Sequence, residues 1–240
     1  MDFPQNLKKE IENVANREKS ITLQRFFKTK KGQYGEGDIF LGITVPESRK
    51  IAKKYSNLSL EEIKILLESK IHEERLIGLL ILVNNYEKNV ETRKEIFDFY
   101  IDNAKFINNW DLVDQTADKI AGRFLFDFGK DYSIYKGLLK KLAESDNLWE
   151  RRIAIISTFY FIKNNQFQET LKIAEILMKD EHDLIQKAVG WMLREIGKRD
   201  LRILENFLKY NYKSMPRTML RYAVEKFSED KRQSYLKGEI

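Results

Sequence analysis

An all-α helical-repeat solenoid is the fold class this 240-residue sequence predicts, and three observations carry it. Apolar residues recur at spacings of three and four almost throughout, the mark of amphipathic helices. Only 3 prolines and 11 glycines interrupt them, too few for the many turns of a sandwich or barrel. A small residue also returns at one register, at Gly78, Ala117, Ala154, Ala188 and Ala223, in steps of 39, 37, 34 and 35 residues. That period belongs to stacked helix pairs of the HEAT or TPR kind, in which small residues let neighbouring helices approach closely. The expected architecture is one domain over residues 1–240, an α-α superhelix with no internal linker. Its concave, basic groove is lined mainly by the second helix of each pair.

The elements follow in chain order. Pro46 in T-V-P-E-S-R suits the first turn of a helix, and Ser59 with Glu62 makes a capping box opening the next. The second helices carry E-E-R-L-I-G-L-L-I-L, W-D-L-V-D-Q-T-A-D-K-I-A, W-E-R-R-I-A-I-I-S-T, L-I-Q-K-A-V-G-W-M-L and P-R-T-M-L-R-Y-A-V-E, the last opened by Pro216. The W-D-L-V-D helix has its core stripe at Val113, Ala117, Ile120 and Phe124 and reads as continuous through them. Breaks fall near 32–37, 56–57, 146–147, 164–165 and 180–183. The one glycine-rich stretch, G-Q-Y-G-E-G from Gly32 to Gly37, follows no strand and lacks the spacing of a nucleotide-binding fingerprint.

Composition excludes several chemistries. Without cysteine there are no disulfides and no thiolate metal sites, and two histidines make an imidazole zinc site improbable, so neither metal nor cofactor is expected. The amino-terminal M-D-F-P-Q-N-L-K-K-E-I-E has no apolar leader, and no run approaches a membrane span. A monomeric protein of the bacterial cytosol is the expectation. The net charge of +6 permits an anionic partner without requiring one, so its distribution must decide.

Around Trp191, Ile185, Ala188, Val189, Met192 and Ile196 form one apolar sector, whereas Lys187, Trp191, Arg194 and Lys198 cluster on another side. Such a tryptophan either packs on a neighbouring repeat beneath snorkelling stems or forms an aromatic, cationic floor for a nucleic-acid backbone. The segment N-L-W-E-R-R-I-A-I-I-S-T-F-Y-F-I is apolar nearly all round and should be a central, buried helix. Arg152 inside it needs a partner, either a structural carboxylate or a bound phosphate. Arg217 and Arg221 lie four apart on one face and alone read as a solvated pair. Trp110 and Asp114 are also four apart, hence neighbours. Periodicity puts Trp110 close to the core stripe and Asp114 at its border, either as packing and capping or as a functional pair.

W-D-L-V-D, W-E-R-R-I-A and K-A-V-G-W-M-L-R-E, preceded by F-L-G-I-T-V-P-E-S-R at 40–49, together resemble the bacterial AlkD-like DNA alkylation repair enzymes. The resemblance spans nearly the whole chain with four motifs in matching order. It implies a HEAT-like repeat DNA glycosylase acting on N3- and N7-alkylated purines in duplex DNA, without a base pocket and without a lyase step. Catalytic weight falls on Trp110, Asp114 and Trp191. Arg152 matches an arginine contacting DNA near the lesion, Arg194 is a further backbone contact, and Tyr34 stands near a family aromatic. With Lys187, Lys198, Arg217 and Arg221 these form the expected DNA-binding set. A DNA-binding solenoid without catalysis and a protein-interaction scaffold are the competing readings. Salt-dependent DNA affinity and base release separate the three.

Overall fold

The computed structural model describes residues 5–129, 133–135 and 137–240; the first four residues of the amino-terminal stretch read above lie outside them. Among the described residues the secondary structure is helical, apart from one isolated bridge between Ile39 and Ile71. No helix among them is long and apolar enough to cross a membrane. The chain falls into two compact units, residues 1–116 and 117–240.

The first unit contains α1 (Gln5–Asn13), α2 (Arg17–Phe26), α3 (Val45–Lys54), α4 (Leu60–Leu67), α5 (His72–Lys88), α6 (Arg93–Asp102) and α7 (Trp110–Thr116). The starts predicted from Pro46 and from Ser59 with Glu62 are those of α3 and α4, where the Glu62 carboxylate accepts from the Ser59 amide at 2.9 Å. Helix α5 is the hub and packs against α3, α4, α6 and α7. Its Leu76–Val83 run is buried all round. Gly78 lets α4 come close, since a Cβ there would lie 3.1 Å from that of Leu66.

The second unit contains α8 (Arg123–Phe128), α9 (Leu138–Ala143), α10 (Leu148–Lys163), α11 (Gln168–Ile176), α12 (Asp183–Gly197), α13 (Leu201–Asn211), α14 (Arg217–Ala223) and α15 (Glu229–Lys237). Helix α10 is buried on nearly every side, as its apolar sequence requires, and packs on α8, α9, α11 and α12. Helix α12 in turn packs on α11, α13 and α14. The predicted second-helix segments thus fall on α5, on α7 with the residues just after it, and on α10, α12 and α14, and Ala154, Ala188 and Ala223 are buried at the predicted register.

Right-handed helical backbone carries on past Thr116 through Ala117, Gly122 and Arg123 into α8, as the continuous reading of the W-D-L-V-D helix expects, but Asp118–Gly122 form a single π-helical turn in which the Gly122 amide donates to the Ala117 carbonyl at 2.8 Å. Packing accompanies the wider turn, because a Cβ on Gly122 would lie 2.1 Å from the Ser157 carbonyl oxygen of α10. The widened turn brings this backbone flush against α10, a placement that helical periodicity does not encode.

Candidate active site

Trp110 opens α7, and its position is fixed by three kinds of contact. Asn109 caps the helix, its Oδ1 accepting from the Trp110 amide at 2.8 Å. The indole stacks on Phe27 with centroids 5.0 Å apart and meets Phe26 edge-on at 5.8 Å. Its Nε1 donates to the Tyr34 hydroxyl at 3.3 Å. The residue is half-buried, so it is neither the core tryptophan of the periodicity reading nor a freely solvated one. Asp114, one turn further along α7, is half-buried as well, and the following Gln115 accepts from Arg49 at 2.6 Å.

The glycine-rich loop acquires a role here. Gly32 and Gly37 adopt left-handed backbone, and Gly35 approaches so closely that a Cβ would lie 2.4 Å from the Phe27 carbonyl. The loop therefore folds back on the end of α2 and delivers Tyr34 to Trp110, with the Lys28 ammonium 5.8 Å from the tyrosine ring. Phe26 was not singled out by sequence reasoning. It is 62 % exposed at the rim of this aromatic group, an unusual exposure for a phenylalanine touching a tryptophan.

Beneath these rings lies a buried charged network. Phe27 also stacks on Phe40 at 4.8 Å, and Phe40 on His72 at 4.3 Å. The imidazole donates from Nδ1 to Asp38 at 3.2 Å and from Nε2 to Asp111 at 2.8 Å. Asp38 further accepts from Arg75 at 2.6 Å and from Asn109 at 3.1 Å. Burial works against a charge on His72, yet the two carboxylates outweigh it and raise its pKa to about 9. Burial likewise opposes the Asp38 charge, and His72 with Arg75 nevertheless holds that carboxyl below its ordinary value.

The Ile39–Ile71 bridge aligns the two segments, with the His72 amide donating to the Ile39 carbonyl at 2.8 Å. Glu73 completes the link: its Oε1 accepts from the amides of Leu41, Gly42 and Ile43 at 3.0, 2.8 and 3.2 Å. Gly42 is required there, since its φ is +85° and a Cβ would lie 2.1 Å from the Asn16 carbonyl. The F-L-G-I-T stretch is thus a strap tied to the start of α5. A mainly apolar cavity of about 530 Å³, lined by Phe26, Phe27, Phe40, Ile43, His72 and Asp111 among others, opens beside the strap. Its presence was not foreseen from the sequence.

The second unit holds the remaining residues. Trp191 on α12 is half-buried, tilted against Phe159 at 5.9 Å, and donates from Nε1 to Glu195 at 3.2 Å. The three expected cations do flank it, but each has a carboxylate: Lys187 pairs with Asp183 at 2.6 Å, Lys198 with Glu195 at 2.6 Å, and Arg194 with Glu225. The expected cationic floor is therefore a mixed-charge one, with the largely buried Glu195 beside the indole. Arg152 is 5 % exposed and donates to the Leu184 carbonyl in the first turn of α12. Arg217 is exposed and donates to the Leu236 carbonyl, and Arg221 is exposed on the same helix. Among the described residues no group of three or more His, Asp or Glu side chains is placed to hold a metal ion.

The sequence matches the family described as DNA alkylation repair enzyme over residues 7–227. No curated protein matches it. Among solved structures, a predicted DNA alkylation repair enzyme from Enterococcus faecalis is similar at 18 % identity and a TM-score of 0.67, covering 90 % of this chain and 97 % of its own. AlkD2 from Streptococcus mutans is similar at 19 % identity and a TM-score of 0.56, covering 89 % of this chain and 99 % of its own. At these identities the likeness shows a shared fold.

Proposed function

We propose, for a chain that belongs to the DNA alkylation repair enzyme family, that its particular activity is hydrolysis of the N-glycosidic bond of cationic N3- and N7-alkylated purines in duplex DNA. The observation that carries this reading is the pairing on α7 of a rigidly held, half-buried tryptophan with a carboxylate one turn away. That pairing sits beside an aromatic rim of the exposed Phe26 and the half-buried Tyr34.

The chemistry asks for little more. An alkyl group on N3 or N7 makes the purine cationic, so the base departs as a neutral molecule and no general acid need protonate it. The transition state places positive charge on the sugar, and a water must capture it. Asp114 serves as the carboxylate that stabilises the oxocarbenium-like sugar and orients the water. The Trp110 face, negative by its quadrupole, favours the same cation. For the second unit the reading keeps Trp191 as an aromatic face towards the alkylated nucleotide. The DNA backbone is assigned to Arg152, Lys187, Arg194, Lys198, Arg217 and Arg221, of which the exposed Lys198, Arg217 and Arg221 are the most direct candidates. The product is an abasic site, as expected of a monofunctional enzyme.

Wild-type protein is expected to release 7-methylguanine from methylated duplex DNA well above the spontaneous rate. Asp114→Asn should slow release by at least a hundredfold while DNA affinity changes less than threefold, since the lost charge acts on the transition state rather than on binding. Equal base release by the two proteins would remove Asp114 from the chemistry.

A further inference from the structure

We infer that His72 is a positioning residue for α7: a buried imidazolium, clamped between the carboxylates of Asp38 and Asp111, that sets where Trp110 and Asp114 stand. The inference rests on the reading of Trp110 and Asp114 as the catalytic pair, and it concerns how the protein holds them.

Three separate lines of contact run from the Asp38–His72 pair to the first turn of α7. The first is the His72–Asp111 hydrogen bond at 2.8 Å, which grips the residue following Trp110. The second goes through Asn109, whose side-chain amide donates to Asp38 at 3.1 Å while its carbonyl oxygen caps the Trp110 amide at 2.8 Å. The third is the ring column from His72 through Phe40 and Phe27 to the Trp110 indole, at 4.3, 4.8 and 5.0 Å. All three start on α5 or on Asp38, which Arg75 of α5 holds just before the strap, so α7 is referred to the most buried helix of the unit. Asp114 follows rigidly, because it lies one helical turn from the residues so held.

The charged groups around His72 are Asp38 two residues before the strap, Asp111 on α7, and Arg75 and Glu73 on α5 itself. Arg75 is bonded to Asp38 and to the Ser69 carbonyl, and Glu73 to the strap amides. Neither can replace the imidazolium against Asp111, whose Oδ1 is buried without a hydrogen-bond partner among the described residues. Loss of the His72 proton would leave one of the two carboxylates facing a ring nitrogen with no hydrogen, and that contact would open. The value near pH 9 puts this event within reach of experiment.

The test uses the full-length protein in two measurements. In the first, the indole Nε1–H resonance of Trp110, identified by its loss in Trp110→Phe, is followed from pH 6 to pH 10. It should shift with the midpoint at which the His72 imidazole titrates, and this shift should vanish in His72→Gln; a Trp110 signal indifferent to that titration overturns the inference. In the second, single-turnover base release at saturating enzyme should fall about tenfold or more in His72→Gln, with the dissociation constant for duplex DNA changed less than twofold. Unchanged release, or equal losses in release and DNA affinity, would also overturn it. If His72→Gln does not fold, Asp111→Asn replaces it in both measurements, and the wild-type titration needs no variant at all. Should wild type release no base while Trp110 still reports the His72 titration, the glycosylase reading fails and the clamp stands.

Discussion

Asp114 and Trp110 show how far residue-level reasoning reaches. Their i, i+4 spacing makes them neighbours on any helix, but periodicity puts the tryptophan close to the core stripe whereas it is half-buried. The long-range contacts that hold this turn were not legible, because they come from a distant part of the chain: Tyr34 is 76 residues from Trp110, and Asp38 is 71 residues from the capping Asn109. His72 and Glu73 look in sequence like an ordinary polar helix start, and nothing in periodicity says they are buried. Their burial has a measurable consequence. The folded-state pKa of His72, about 9, exceeds the ordinary 6.5, so its stabilising charge is fully present below about pH 6.5 and is lost as the pH rises through about 9. The melting temperature of wild type should therefore fall by several degrees over that interval, and more steeply than that of His72→Gln when both are followed calorimetrically. Parallel pH profiles would mean that the imidazole gains no charge on folding.

At the scale of elements, amphipathic spacing located the helices, and capping residues located the starts of α3 and α4. Burial of α10 all round was legible from its unbroken apolar run. The wide turn at Asp118–Gly122 was not, since it accompanies a tertiary contact with the Ser157 carbonyl rather than a local breaker. A side chain at Gly122 must push that backbone apart. Gly122→Ala is expected to cost about 1–3 kcal/mol, the range for overpacking a well-filled contact, and to lower the denaturant midpoint accordingly. An unchanged midpoint would show that the contact yields freely.

For the whole molecule, the small-residue register and the four motifs pointed to a helical-repeat fold of the DNA alkylation repair family, and the family match over residues 7–227 agrees. Charge was less legible. A net +6 looked concentrated on a few helices, but Asp183, Glu195 and Glu225 take up Lys187, Lys198 and Arg194. These carboxylates lie within a turn or just past a neighbouring helix, where a count of cations overlooks them. The cations left most open are Arg217 and Arg221. Affinity for duplex DNA should weaken steeply with salt, and reversing both arginines to glutamate should weaken binding about tenfold or more at low salt and flatten the logarithmic salt slope by about 1–2. Salt-independent association would favour the protein-interaction scaffold.

The central claim is that this chain breaks the glycosidic bond of cationic purines, and direct base release tests it best. Methylated duplex DNA incubated with excess wild-type protein should yield free 7-methylguanine and abasic sites far faster than DNA alone, with the release abolished by Asp114→Asn. Release at the spontaneous rate by a folded, DNA-binding wild type would contradict the claim and leave a protein that recognises DNA without acting on it.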